Sequence, residues 1–242
     1  LISKIPAKNR LADFPHYLMH RAEQLENLYI FTNTEGTPEN IRKFHPNIIV
    51  SSTGSAPLLP PIAGLKDRID NENYNIYSIL GMINHINDFP KDLEGKKVVV
   101  VGGGAVGLDV VEFFADRNAD ISIVEMMDQI GRDLDPVSKN DTKAMMKKHN
   151  VHQLTKTALL EVKDSSFLVK GDGEPYELPF EYGFVCLGMR AQGQLYQNLT
   201  EEFSSEDVEI MNIGDSQRAR RIIDGTQEGR NILTILEQKG YL

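Results

Sequence analysis

The chain has 242 residues, 40% of them hydrophobic, and carries 26 Lys and Arg against 35 Asp and Glu for a net charge of −9. That length suits one large or two modest domains with a real core. An acidic balance without a basic stripe argues against nucleic acid as a partner, and apolar runs of only a few residues are too short for a membrane span. The segment Leu1–Lys8 lacks the apolar stretch of a secretion signal, so the expected setting is a soluble cytoplasmic protein. One cysteine, Cys186, allows no internal disulfide and no CxxC pair, and its apolar surroundings read as a buried strand. The six histidines (His16, His20, His45, His85, His149 and His152) show neither HExxH nor a Cys/His cluster, so no metal site is expected.

In chain order, residues 10–28 have helical spacing, with Leu11, Phe14, Leu18, Leu25 and Leu28 apolar among charges. Thr37 and Pro38 open a short helix over 38–44. Asn47–Ser52 reads as a strand ending at Ser52-Thr53-Gly54-Ser55. The proline-rich run after it, residues 55–64, reads as a linker where the chain leaves one domain. Residues 76–89 are moderately helical. Residues 97–101 form an apolar strand that runs into Gly102-x-Gly104-x-x-Gly107. A helix over 105–117 follows, with Val106, Val110, Val111 and Phe114 on one face, and then a strand, Ile121–Glu125, that ends in an acid.

That constellation is a dinucleotide-binding fingerprint. Gly102 makes the turn out of the strand, Gly104 lets the backbone approach a pyrophosphate, and Gly107 lets the helix pack on the sheet. The phosphates then meet the amides of Ala105 and Val106 at the helix N-terminus, where the dipole favours negative charge. Glu125 would accept hydrogen bonds from the adenosine ribose and repel a 2′-phosphate, favouring NADH over NADPH. Arg132 reads as a solvated loop charge. The bland alternative is a tight strand–helix turn without a ligand.

Beyond the fingerprint, Asp135–Lys148 is a charged amphipathic helix and Val151–Leu154 a short strand. Residues 158–170 and 176–180 form a meander turned at Asp164-Ser165 and Gly171–Gly173. Tyr182–Leu187 is a buried strand ending at Gly188. Residues 191–207 are polar and read as loop, residues 208–213 as a strand ending at Gly214-Asp215, and residues 218–237 as a final helix. The order describes an α/β protein with one domain inserted in another. A Rossmann-like NAD(P)-binding domain over 65–190 interrupts a partial FAD-binding domain made of 1–64 and 191–242, each a three-layer sheet with flanking helices.

Four segments carry a family resemblance in the right order: Ser51–Gly64 (SSTGSAPLLPPIAG), Gly102–Gly107 with Glu125, Val185–Arg190 (VCLGMR), and Ile213–Gly229 (IGDSQRARRIIDGTQEG). Together they resemble the C-terminal portion of the NADH:flavin oxidoreductases of the 2-enoate reductase and 2,4-dienoyl-CoA reductase type, within the wider pyridine nucleotide-disulfide oxidoreductase-like fold. The resemblance implies that Thr53, Gly54, Gly214 and Asp215 lie against FAD and that Gly188 borders the nicotinamide nucleotide. It also implies that NADH passes hydride to FAD, and that electrons then reach a barrel domain reducing an activated C=C bond. A second GxGxxG for FAD does not precede Gly102, where Gly36, Gly54, Gly64, Gly81 and Gly95 are scattered, and one cysteine cannot hold an iron–sulfur cluster. The chain therefore reads as a fragment of a longer protein, inactive alone, with weak or absent FAD, a working NAD(H) site, and exposed apolar surface that would drive homodimerisation. The rival from another class is a non-catalytic ADP- or NAD-binding interaction module that keeps the fold. A disulfide reductase is poorly supported without a CxxC pair.

Overall fold

The computed structural model describes residues 2–6 and 8–241. The first helix, α1 (Asp13–Glu23), covers the middle of the expected span 10–28; a 3-10 turn over Asn9–Ala12 precedes it and residues 24–28 are not helical. Its apolar residues are not packed: Phe14 and Leu18 are 48% and 47% exposed. Helix α2 (Pro38–Arg42) starts as expected, with Thr37 Oγ1 accepting from the Asn40 amide at 3.2 Å. Strand β1 (Ile48–Ser51) follows, and the expected linker contains a short strand, β2 (Ser55–Pro57). After α3 (Leu65–Arg68), the segment expected to be one helix over 76–89 divides into strand β3 (Ile76–Tyr77) and helix α4 (Ile79–Asn84). Ser78 makes the break. Its Oγ accepts from the Gly81 amide at 3.1 Å, while its own N–H and O–H donate to the two Asp70 carboxylate oxygens at 2.7 and 2.6 Å.

The fingerprint folds as strand β4 (Lys97–Val101), helix α5 (Ala105–Ala115) and strand β5 (Asp120–Val124). Helix α6 (Pro136–Lys148) is capped by Asp135, whose Oδ1 accepts from the amides of Val137 and Ser138; these bonds hold its carboxyl below the usual carboxylate range, the Ser138 hydroxyl contributing most. Strand β6 (His152–Leu154) is followed by the expected meander, β7 (Ala158–Val162), β8 (Ser166–Lys170) and β9 (Tyr176–Pro179), and by β10 (Tyr182–Val185) and β11 (Met189–Ala191).

Residues 191–207, expected to be loop, contain helix α7 (Gln194–Glu202). The reason is an apolar face at four-residue spacing, Leu195, Leu199 and Phe203, hidden among polar neighbours; Leu199 and Phe203 are buried with Ile49. Arg42 fastens this helix to α2, pairing with Glu202 at 2.7 Å and with Glu206, its guanidinium 4.7 Å above the Phe203 ring. Strand β12 (Glu209–Asn212) and the long helix α8 (Ile222–Gln238) complete the chain.

The chain divides into two compact units, residues 1–26 with 57–188 and residues 27–56 with 189–242. This differs from the division read in the sequence, 1–64 with 191–242 and 65–190, by placing residues 1–26 and 57–64 with the fingerprint and residues 189–190 with the smaller unit. Within that unit Lys8 forms an ion pair with Asp109 of α5 and lies 3.7 Å from Glu112. The larger unit holds a five-stranded parallel sheet in the order β3-β10-β4-β5-β6, with the antiparallel β7-β8-β9 sheet beside it in the chain. A parallel sheet is covered on both faces and so needs continuous apolar strands. Val98–Val101 meet that need: all four are at most 3% exposed. Burial of each is worth roughly 1.5 kcal/mol or more. Phe89, Phe113, Phe114, Tyr182 and Phe184 pack around one end of this sheet with ring centroids 4.8–6.3 Å apart. The smaller unit is built on the parallel pair β1–β12, with Ser51 opposite Asn212. Among the described residues no helix is long and apolar enough to cross a membrane.

Candidate nucleotide-binding site

In a parallel sheet, ligands bind beyond the carboxyl ends of the strands. At that edge of the larger unit, β4 leaves the sheet at Gly102 with φ +109°, a conformation L side chains rarely adopt. A Cβ there would stand 2.2 Å from the Cys186 carbonyl oxygen, and a Cβ on Gly107 would stand 1.9 Å from the Gly102 carbonyl oxygen. Both glycines are therefore demanded by the backbone of the turn itself. Gly104 differs. Its φ is −79°, and a Cβ on it would meet nothing nearer than the Asp133 carboxylate at 3.9 Å. The space over Gly104 is open, and it belongs to a cleft of about 380 Å³ floored by Gly103 and Gly104 and walled by Glu125, Gln129 and Arg132. Gly104 is the N-cap of α5, and no side chain caps that helix, so the amides of Ala105 and Val106 begin it uncapped.

Glu125 follows β5 directly and is held by two backbone amides. Gly103 N–H donates to its Oε2 and Met127 N–H to its Oε1, both at 2.7 Å. A carboxylate oxygen accepts more than one hydrogen bond, so the group is oriented without being used up. The loop after Glu125 is tied back over the turn, with Gly131 N–H donating to the Gly103 carbonyl at 2.7 Å. That tie brings Arg132 and Asp133 to the cleft, a long-range placement that the loop's own sequence does not signal. These features fit a dinucleotide. An open glycine floor, helix amides without a side-chain cap and a carboxylate oriented by two amides meet in one cleft. Gly188, with φ +102° and no atom within 4 Å of a Cβ, lies beyond β10 on the same edge but does not line this cleft.

The second set of expected residues gathers in the smaller unit. Strands β1 and β12 end side by side, and Ser55 Oγ donates to Asp215 Oδ2 at 3.1 Å. The other Asp215 oxygen accepts from the Arg220 amide at 3.1 Å. Thr53 Oγ1 donates to the Gln192 carbonyl at 2.6 Å. Gly54 and Gly214 have φ of +76° and +65° and open space where a Cβ would point. Glu228, which the sequence reading missed, accepts from the Gly214 amide at 2.6 Å and pairs with Arg220; these contacts, Arg220 foremost, hold its carboxyl below the usual range. Its signal was the spacing of fourteen residues from Gly214 across a turn and helix, too long to be read locally.

Cys186 is buried in the larger unit, and desolvation pushes its thiol up to about 12. A thiol so held carries almost no thiolate at neutral pH. Native protein is expected to resist a disulfide-exchange reagent that modifies Cys186 promptly once the chain is unfolded; equal rates in both states would contradict the buried placement.

The family model described as pyridine nucleotide-disulphide oxidoreductase matches residues 26–211. Among curated proteins, the chain is 27% identical over 258 residues to a metal reductase of Desulforamulus reducens, covering 90% of this chain and 36% of that protein. It is 26% identical over 192 residues to an NADH oxidase of Thermoanaerobacter brockii, covering 79% and 28%. The chain thus spans about a third of the length of these relatives. The solved structure of a 2-naphthoyl-CoA reductase complex matches its fold with a TM-score of 0.77 at 21% identity, over 94% of this chain and 32% of that one.

Proposed function

Because the chain belongs to the pyridine nucleotide-disulphide oxidoreductase family, we propose that it is the NADH-receiving part of a longer flavin-dependent oxidoreductase. Family membership implies FAD and a nicotinamide nucleotide. The observation that carries the finer reading is the cleft over Gly104, open above a glycine that tolerates a side chain conformationally, beside an oriented carboxylate. In this reading the Ala105 and Val106 amides hold the pyrophosphate, Gly102, Gly104 and Gly107 shape its seat, and Glu125 holds the adenosine ribose. Gly188 borders the nicotinamide, and Thr53, Gly54, Gly214 and Asp215 form one edge of the flavin site. The bound flavin would supply hydride acceptance and onward electron transfer; the protein's share is binding and orientation. A barrel domain of the parent protein, acting on an activated C=C bond of an enoate or acyl-CoA, is the proposed destination. The names of a Clostridium sporogenes cinnamate reductase, 22% identical, and of the 2-naphthoyl-CoA reductase support that choice. The β1–β12 pair is a two-stranded sheet, and Tyr29, Ile30 and Phe31 of the same unit are 59–77% exposed. Further strands of the parent protein are proposed to cover them.

The second reading, a non-catalytic nucleotide-binding module, draws on that same two-stranded sheet, which has no phosphate turn of its own. Calorimetric titration of the chain with NADH, NADPH and ADP separates the two. Binding of NADH clearly tighter than both controls is the expected result, together with no stoichiometric flavin absorbance after purification. NADH binding no tighter than ADP would transfer the assignment to the module reading.

A further inference from the structure

The cleft over Gly104 is lined by two carboxylates, and they are not used alike. Glu125 is held by two backbone amides and lies to one side, packed against Gly103. Asp133 is exposed, and among the described residues its side chain makes no hydrogen bond or ion pair. Its two oxygens stand 3.9 and 4.0 Å from where a Cβ on Gly104 would point, nearer than any other atom beyond the adjoining chain. The space in which the pyrophosphate is proposed to lie is therefore faced by a carboxylate with no partner.

The backbone on either side of Asp133 is fixed. Gly131 N–H donates to the Gly103 carbonyl at 2.7 Å and Leu134 N–H to the Gly131 carbonyl at 3.1 Å, while Lys139 Nζ of α6 donates to the Arg132 carbonyl at 2.9 Å. Leu134 is half-buried and, with Leu108 of α5, reaches the space beside Gly131. Rotation of the short Asp133 side chain moves its charge by only a few ångströms, well inside a Debye length of about 10 Å. Arg132 is the one basic side chain lining the cleft, and it has no ion pair among the described residues. The walls thus set Glu125 and Asp133 against Arg132, an excess of negative charge around a seat for an anion. Two unit charges about 4 Å apart alter affinity roughly fivefold even at the dielectric of water, and more in a partly enclosed cleft.

We propose that Asp133 limits the affinity of this cleft for dinucleotides by repelling the pyrophosphate, with Arg132 as the opposing cation. The inference rests on the nucleotide reading of the cleft and adds what sets the strength of binding there. A nucleotide that gives up its hydride must then leave, and release is a step that tight holding slows.

The test is calorimetric titration of the full chain and of Asp133→Asn, Asp133→Glu and Arg132→Gln with NADH, NADPH and ADP. Both positions are exposed, and thermal melts matching the unsubstituted chain keep the variants comparable. In about 0.01 M salt, where screening is weak, Asp133→Asn is expected to bind each nucleotide roughly five- to tenfold tighter, and at about 1 M salt the gain falls to within about twofold. The ratio of NADH to NADPH affinity is unchanged, because both carry the pyrophosphate. Asp133→Glu keeps the charge and shows no gain, and Arg132→Gln binds roughly threefold or more weakly at low salt. If the unsubstituted chain binds NADH, the role of Asp133 is overturned by equal affinity in Asp133→Asn, by a gain as large at high salt as at low, or by the same gain in Asp133→Glu, and the nucleotide cleft still stands. Undiminished affinity in Arg132→Gln would overturn the part given to Arg132. No NADH binding by either the unsubstituted chain or Asp133→Asn would overturn the inference and the nucleotide reading together.

Discussion

Gly107→Ala is expected to lower the melting temperature by roughly 6–12 °C, while Gly104→Ala lowers it by no more than about 4 °C and weakens NADH binding at least about tenfold. The two glycines lie three residues apart in one motif, and their surroundings separate them. A methyl group on Gly107 would sit 1.9 Å from a carbonyl oxygen of the Gly102 backbone. No rotamer change relieves that contact, so α5 must move off the sheet. Overpacking of this kind costs about 3 kcal/mol, and for a unit of this size each kcal/mol shifts the midpoint by roughly 2–4 °C. On Gly104 the backbone is already in an ordinary conformation and the nearest atom is 3.9 Å away. The fold accepts the methyl group within about 1 kcal/mol, but it projects into the cleft where the pyrophosphate is proposed to lie. Thermal melts and calorimetry of both variants check the pair. NADH affinity retained in Gly104→Ala would remove the pyrophosphate from this cleft.

Replacing Glu125 separates affinity from cofactor choice. Glu125→Ala is expected to cost NADH at least about tenfold, consistent with loss of charge-assisted hydrogen bonds worth roughly 1.5–3 kcal/mol each. The carboxylate also orients the turn through Gly103 and Met127, both at 2.7 Å, so part of that loss belongs to the turn. Glu125→Gln distinguishes the two contributions. Disorder of the turn weakens NADH and NADPH alike, whereas removing the negative charge relieves the 2′-phosphate specifically and narrows the gap between them. Calorimetry with both nucleotides gives the ratio; an unchanged ratio in Glu125→Gln would deny the residue a role in selecting NADH.

Much of the candidate site was legible in the sequence because its elements are local. The apolar run 97–101, the glycine spacing and the acid after the next strand occupy 29 consecutive positions, Lys97 to Glu125, and each follows from a periodicity or a backbone requirement visible within a few residues. Thr37 as a cap and the turns of the meander were readable for the same reason. Helix α7 was missed because its apolar face is three residues wide in a polar stretch, and only packing against Ile49 and Ile41 gives that face a purpose. The segment 76–89 was misread as one helix because the break at Ser78 is made by Asp70, eight residues earlier.

The sequence by itself determined that an α/β nucleotide fold surrounds Gly102–Gly107, since strand, turn and helix there are dictated by neighbouring residues. Only the tertiary structure decided which of those glycines the backbone demands and which leaves room for a ligand. It also decided that two amides aim Glu125, that Lys8 joins residues 1–26 to α5, and that α1 keeps its apolar residues exposed. Local conformation is governed by sterics and periodicity within a turn or a strand, whereas open space, hydrogen-bond partners and burial depend on residues brought together from distant parts of the chain.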